Sequence, residues 1–248
     1  MEFIDRYEEV IAQAVQKYMF KNQPSELYEP MNYIISHRGK RLRPIMVLMA
    51  NELFGGEMSK AIKPALAIEY FHNFTLIHDD IMDDAPLRRN VPTIHTLHGI
   101  NTAILSGDGL LLKAYSFFED LEPKLFKACV RIFTHTGILL CEGQQYDVNF
   151  ETQKDVTYED YIRMITYKTG ILAAAAFEIG AIIAGANTEE AKAIFNFGKH
   201  IGIAFQIKDD YLDVFGNMEQ FGKKHAGDIF ENKKTILYLL AREYATAE

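Results

Sequence analysis

Residues 78–90 read HDDIMDDAPLRRN, which places Asp79, Asp80, Asp83 and Asp84 within six positions and sets Arg88 and Arg89 just beyond them. On a helix, Asp79 and Asp83 stand one turn apart and differ by about 40° in direction, so their carboxylates share a face. Much later, FQIKDDYLD repeats the spacing with Asp209, Asp210 and Asp213. One acidic patch is ordinarily a solvated helix face. Two copies of D-D-x-x-D, each closing an apolar helical run, ask for more. Crowded carboxylates repel, and desolvating them is costly unless something positive stands between them. Hard oxygen donors of this kind suit Mg²⁺, which bridges carboxylates to phosphate oxygens. If the two helices face each other, the clusters surround one cavity.

The basic residues support an anionic substrate. Arg88 and Arg89 follow the first cluster, Lys208 adjoins the second, and Lys223, Lys224, Lys233 and Lys234 come after it. The segment RGKRLRP adds Lys40 and Arg43 near a helix start, where exposed amides also favour an anion. Taken singly, each is as readily a surface cation. Two other motifs fail on inspection. Glu69 and His72 match the E-x-x-H of di-iron bundles, which need two such motifs where this chain has one. GNMEQFGKK has the wrong glycine spacing for a P-loop.

These residues need long helices to position them. Apolar residues recur at helical spacing through 158–183 and 193–215, all seven prolines lie at or before Pro123, and clear strand alternation appears nowhere. Helix starts are expected after Gly56, after Gly99-Ile-Asn-Thr, after Pro123, after Val156-Thr and after Asn187-Thr, with Thr157 and Thr188 as N-caps. FGGEMS and PLRRNVP read as turns. The expected class is all-α, a single domain over 1–248.

Composition agrees. The 248 residues are 48% apolar, and 34 acidic against 26 basic residues give a formal charge of −8, which argues against a general nucleic-acid grip. Two cysteines, Cys129 and Cys141, make neither a disulfide framework nor a zinc pattern, so a reducing cytoplasm is the default. ILAAAAFEIGAIIAGA is short for a membrane span and carries Glu178, so it reads as a buried helix with small packing residues, and no transmembrane segment is expected.

With these residues assembled, the chain closely resembles the trans-isoprenyl diphosphate synthases, or polyprenyl synthetases, from GKRLRP to GDIFENKKT. The resemblance implies a bundle of long antiparallel helices around a deep central cavity (the isoprenoid synthase fold), a homodimer, and about three Mg²⁺ ions per active site. It implies head-to-tail condensation of isopentenyl diphosphate with an allylic diphosphate. Asp79, Asp83 and Asp209 would hold Mg²⁺, with Asp80, Asp210 and Asp213 in support. Arg88, Lys168, Lys223 and Lys233 would contact the allylic diphosphate, with Thr169 and Gln206 nearby, and Gln144 and Asp147 near the second acidic helix. Isopentenyl diphosphate would sit at Lys40, Arg43, His72 and Arg89.

In such enzymes a bulky residue four, five or eight positions before the first motif closes the product cavity. Here those are Thr75, Phe74 and Phe71, which implies a C20 product, with C15 next. Two departures stand out. Asn90 replaces the glycine usual after the paired arginines, though Asn tolerates a left-handed backbone. The sequence also ends at YLLAREYATAE, where the last helices of the family are expected to follow. That ending is the one feature favouring the alternative, a catalytically silent or regulatory subunit of a prenyl synthase. Such subunits typically lose the acidic motifs, and both are intact here.

Overall fold

The computed structural model describes residues 2–37, 39–216 and 226–245. Nearly all of its ordered backbone is α-helical, and sheet among the described residues is limited to one short hairpin. The described residues sort into two compact units: residues 1–131 with 176–194, and residues 132–175 with 195–248.

The first unit is organised by α4 (Met58–Met82), which packs chiefly on α3 (Leu42–Leu53) and α6 (Ile100–Ser116). From Ala65 to Phe71 every α4 residue is buried. A helix buried on all sides belongs at the centre of a layer of helices rather than on its surface, and α1 (Glu2–Lys17) and α2 (Ser25–Ser36) also pack on it. Gly107 lets α6 approach α4, because a Cβ there would meet the His78 ring at 2.4 Å. The later part of α9 (Ile171–Ile183) lies against α3 just as closely. A Cβ on Gly180 would stand 2.2 Å from the Val47 carbonyl oxygen. The alanine-rich run thus serves helix packing, as its small residues imply. Tyr158–Ile183 has the length and composition of a membrane span, but 72% of its most apolar window is buried inside the protein, as in a core helix.

PLRRNVP, read as a turn, closes into a two-stranded antiparallel hairpin, β1 (Leu87–Arg88) and β2 (Val91–Pro92). Its two loop residues, Arg89 and Asn90, have φ of 53° and 65°. Both central residues of a tight hairpin turn need positive φ, which asparagine accepts at little cost. Strands of two residues are too short to show alternation in a sequence. After α5 (Ile94–His98) and α6 comes α7 (Pro123–Thr152).

The second unit packs around Phe150, Val156, Tyr161, Met164, Ile165 and Leu239. Thr157 caps α8 (Tyr158–Ile165) with a full capping box to Asp160. The cap of α10 (Thr188–Phe215) is Asn187 rather than the expected Thr188: its Oδ1 accepts from the amides of Glu189 and Glu190, and its own amide donates to Glu190 Oε2. Glu190 has the carboxylate that a capping box requires at this offset, and Ala191 does not. Between α8 and α9, Thr166–Gly170 widens into a π-helix. The segment is stacked closely on its neighbours, with Gly143 of α7 against the Lys168 backbone and Gly202 of α10 against Gly170. Two further helices, α11 (Gly227–Phe230) and α12 (Ile236–Tyr244), are tied to the end of α7 and the turn after it. Asn232 donates to the Glu151 carbonyl, and Arg242 to those of Lys154 and Val156.

Candidate active site

In the first unit, α4 delivers the acidic motif at its C-terminal end, and the four members are not equivalent. Asp80 is buried, and Arg88 on β1 donates to its Oδ1 from Nε at 2.6 Å. Burial pushes the Asp80 carboxyl up and Arg88 works against that. Asp79 is half-buried and Asp83 exposed, so these two stand toward solvent.

Of the residues assigned to isopentenyl diphosphate, Arg43, His72 and Arg89 act on one another. Arg43 lies in the first turn of α3, and its Nη1 donates to His72 Nε2 on α4 at 3.0 Å. His72 therefore accepts at Nε2 and carries its proton on Nδ1. Burial, then the charges of Arg43, Arg89 and Arg88, hold its pKa well below 6.5. The Arg89 side chain reaches back over Gly39, where a Cβ would meet its Nη1 at 2.3 Å. Lys40, next in the chain to Gly39, is exposed. The imidazole is thus a neutral prop for a guanidinium.

A pH signature follows from that geometry. An imidazole whose folded pKa lies below 6.5 leaves the folded protein with fewer bound protons than the unfolded chain in that interval. His72 therefore makes stability rise with pH up to about 6.5 and adds nothing above it. Ring nitrogen chemical shifts at pH 6 are expected to report the neutral Nδ1–H form; an imidazolium signal would contradict it.

The residues expected to close the product cavity lie on the same stretch of α4. Phe71 is buried and meets Phe74 edge-on, with ring centroids 5.5 Å apart, and Phe74 meets His78 at 4.8 Å. Thr75 spends its hydroxyl on the His72 carbonyl.

In the second unit a hydrogen-bonded chain runs from the π-helix to the second acidic motif. Thr169 Oγ1 donates to Gln206 Oε1 at 2.8 Å, and Gln206 Nε2 donates to Asp210 Oδ1 at 2.8 Å. Tyr161 OH donates to the other oxygen of Asp210 at 2.7 Å. Asp210 is buried with both oxygens engaged; burial pushes its carboxyl up, and the two donors oppose that. Asp209 is half-buried beside it. Asp213 accepts from the Asp228 amide at 3.1 Å and so anchors the start of α11. Lys168, carried on the π-helix, reaches Asp147 Oδ2 at 2.5 Å. Lys233 pairs with Glu231 at 2.7 Å, and Lys223 lies outside the described residues.

Both motifs share one internal plan: the second aspartate is buried and spoken for by its own unit, while the first is more exposed. Among the described residues, no three His, Cys, Asp or Glu side chains gather into a group that could hold a metal ion. The donors that match Mg²⁺ in chemistry are the all-oxygen pair Asp79 and Asp83 in the first unit and Asp209 in the second. Asp80 and Asp210 fit a supporting role, since their oxygens already accept from Arg88, Gln206 and Tyr161.

Sequence reasoning passed over three contributors. Tyr161 lies 49 positions from Asp210, so no local spacing links them. Arg41, at a left-handed φ of 43°, donates to the Ile35 carbonyl and adds a third guanidinium beside Arg43 and Arg89. Glu69, part of the E-x-x-H that fails as a di-iron motif, is buried on α4 within the electrostatic reach of all three.

Residues 24–248 match the family model described as polyprenyl synthetase. The chain is 40% identical over 232 residues to a geranylgeranyl diphosphate synthase of Methanosarcina mazei, covering 93% of this chain and 72% of that protein. It is 38% identical to a short chain isoprenyl diphosphate synthase of Methanothermobacter thermautotrophicus, covering 99% and 76%. A solved structure of geranylgeranyl pyrophosphate synthetase from Pyrococcus horikoshii superposes with a TM-score of 0.93 at 38% identity, covering 99% of this chain and 76% of the other.

Proposed function

The chain belongs to the polyprenyl synthetase family, and from that premise we propose that it joins isopentenyl diphosphate head-to-tail to an allylic diphosphate through the residues described above. It is a prenyltransferase with the all-helical fold of its relatives, and its reaction is short-chain prenyl transfer. The observation that carries the assignment onto this chain's own residues is the shared plan of the two motifs, in which a buried aspartate is locked in place beside a more exposed one.

Asp79 and Asp83, and from the second unit Asp209, would hold Mg²⁺, which would supply positive charge to the diphosphate that must leave. Arg88 and Lys168 add fixed cations to the same leaving group, and each is held ready by a carboxylate, Asp80 or Asp147. As the carbon–oxygen bond ionises, the double bond of isopentenyl diphosphate attacks the allylic cation, and a proton is then lost to the released diphosphate. Lys40, Arg43 and Arg89 hold isopentenyl diphosphate, with neutral His72 fixing Arg43. Phe71 and Phe74 exclude water from the growing chain and end it at C20. A cytoplasmic homodimer with about three Mg²⁺ ions per site completes the proposal and is supported by family membership.

The test is a product assay. Labelled isopentenyl diphosphate is offered with dimethylallyl, geranyl or farnesyl diphosphate, with Mg²⁺ or EDTA, and products are sized after dephosphorylation. A Mg²⁺-dependent C20 product is expected, and Phe74→Ala is expected to lengthen it. Absence of any product overturns the proposal, and unchanged length in Phe74→Ala removes the phenylalanine floor.

A further inference from the structure

We infer that Glu69 is a positioning residue whose carboxylate holds the Arg41, Arg43 and Arg89 guanidiniums together for an arriving diphosphate. The inference rests on reading that cluster as the isopentenyl diphosphate site.

The cluster is an unusual thing to build without an anion present. Arg43 and Arg89 repel each other, and Arg43 Nε is buried without a hydrogen-bond acceptor. Arg41 joins them from a left-handed position at the start of α3. Like charges packed this way would spread toward solvent unless something offsets them. His72 cannot do it. It is neutral, and it accepts only one hydrogen bond, from Arg43.

Glu69 can. It stands three residues before His72 on α4, on the face that meets Arg43, and is only 7% exposed. Asn73, one turn further on, donates to its Oε1 at 3.2 Å and fixes the rotamer. Burial pushes the carboxyl up, while Arg41, Arg43 and Arg89 all work against that shift. Among the described residues no ion pair joins it to any of the three, so it acts as a countercharge beneath them and leaves to the ligand the N–H groups that Ile35 and His72 do not take. The diphosphate then meets donors already in place, which lowers the cost of ordering them.

Two variants decide the matter. Glu69→Gln keeps the shape and the bond from Asn73 but removes the charge, and Glu69→Asp keeps the charge. KM is measured separately for isopentenyl diphosphate and for geranyl diphosphate, alongside thermal unfolding. Glu69→Gln is expected to raise KM for isopentenyl diphosphate about tenfold, the scale on which outer partners of binding groups act, with KM for geranyl diphosphate unchanged. Glu69→Asp is expected to stay within about threefold of the wild type on the same scale. The inference is overturned if KM for isopentenyl diphosphate stays the same or falls, if both KM values move together, if Glu69→Asp is as impaired as Glu69→Gln, or if Glu69→Gln does not fold. A wild-type chain that makes no product sinks the functional reading itself, whereas an active wild type with an unaffected Glu69→Gln sinks this inference alone.

Discussion

Replacing Asp79 with asparagine is expected to lower kcat for prenyl transfer by about 10³-fold while leaving the protein as stable as before, or more so. The two effects have separate causes. Asp79 lies in the last turn of α4, at the negative end of the helix, with Asp80, Asp83 and Asp84 close behind it. Carboxylates there are opposed by the helix dipole and by one another, and the Asp79 charge is one of the influences that push Asp80 up. A residue kept for structure would not sit there. Asparagine keeps the size and one oxygen, removes the repulsion, and removes one of the proposed Mg²⁺ donors. Steady-state kinetics with thermal unfolding on the same sample checks it. A fall in kcat accompanied by a comparable loss of stability would make Asp79 structural and refute the assignment.

Arg88→Met is expected to cost about 3–5 kcal/mol of stability, an effect ordinary for removing one partner of a buried ion pair. The Asp80 side chain is only 4% exposed, and Arg88 is the cation bonded to it. Without Arg88, a buried carboxylate is left uncompensated, and methionine can fill the space but not answer the charge. The discriminating sample is Arg88→Met combined with Asp80→Asn. Neutralising the stranded group should return most of the lost stability in urea unfolding, while activity stays low because the cation proposed to contact the allylic diphosphate is still gone. If the single variant unfolds within about 1 kcal/mol of the wild type, the pair is not the anchor described. If the double variant recovers nothing, the loss came from packing.

Much of the helical framework was legible because helix signals are local. Thr157 three residues before Asp160 announces its capping box, and proline at 123 needs no knowledge of the rest of the chain, whereas α6 begins at Ile100, three residues before the start expected after Thr102. The same local signal puts the cap of α10 on Asn187 rather than Thr188, since Glu190 is three residues from Asn187. The aspartates and arginines were legible as a set because their types and spacings repeat. What connects them was not. The bond from Tyr161 to Asp210, the pairing of Lys168 with Asp147 and the placing of Glu69 under three arginines all depend on which helix faces meet. Nor does any residue type in TYKTG mark it as a π-helix, and a hairpin of two residues a side leaves no periodic trace.

The π-helix also bears on which changes of sequence this site can survive. Tyr161 and Thr169 are eight residues apart, and in an uninterrupted α-helix they would point about 80° away from each other. The wider turn at 166–170 absorbs part of that difference, and both hydroxyls feed the network ending on Asp210, one directly and one through Gln206. Exchanging a residue in this stretch breaks at most one of those bonds. A chain one residue shorter here would hold the same two side chains seven apart, about 20° from alignment on a plain α-helix, so the wider turn is how this stretch carries one extra residue with both hydroxyls still serving Asp210. Descendants of this sequence should therefore hold Lys168, Thr169 and Gly170, whose side chain, hydroxyl and bare backbone are each in use, more firmly than the two positions before them.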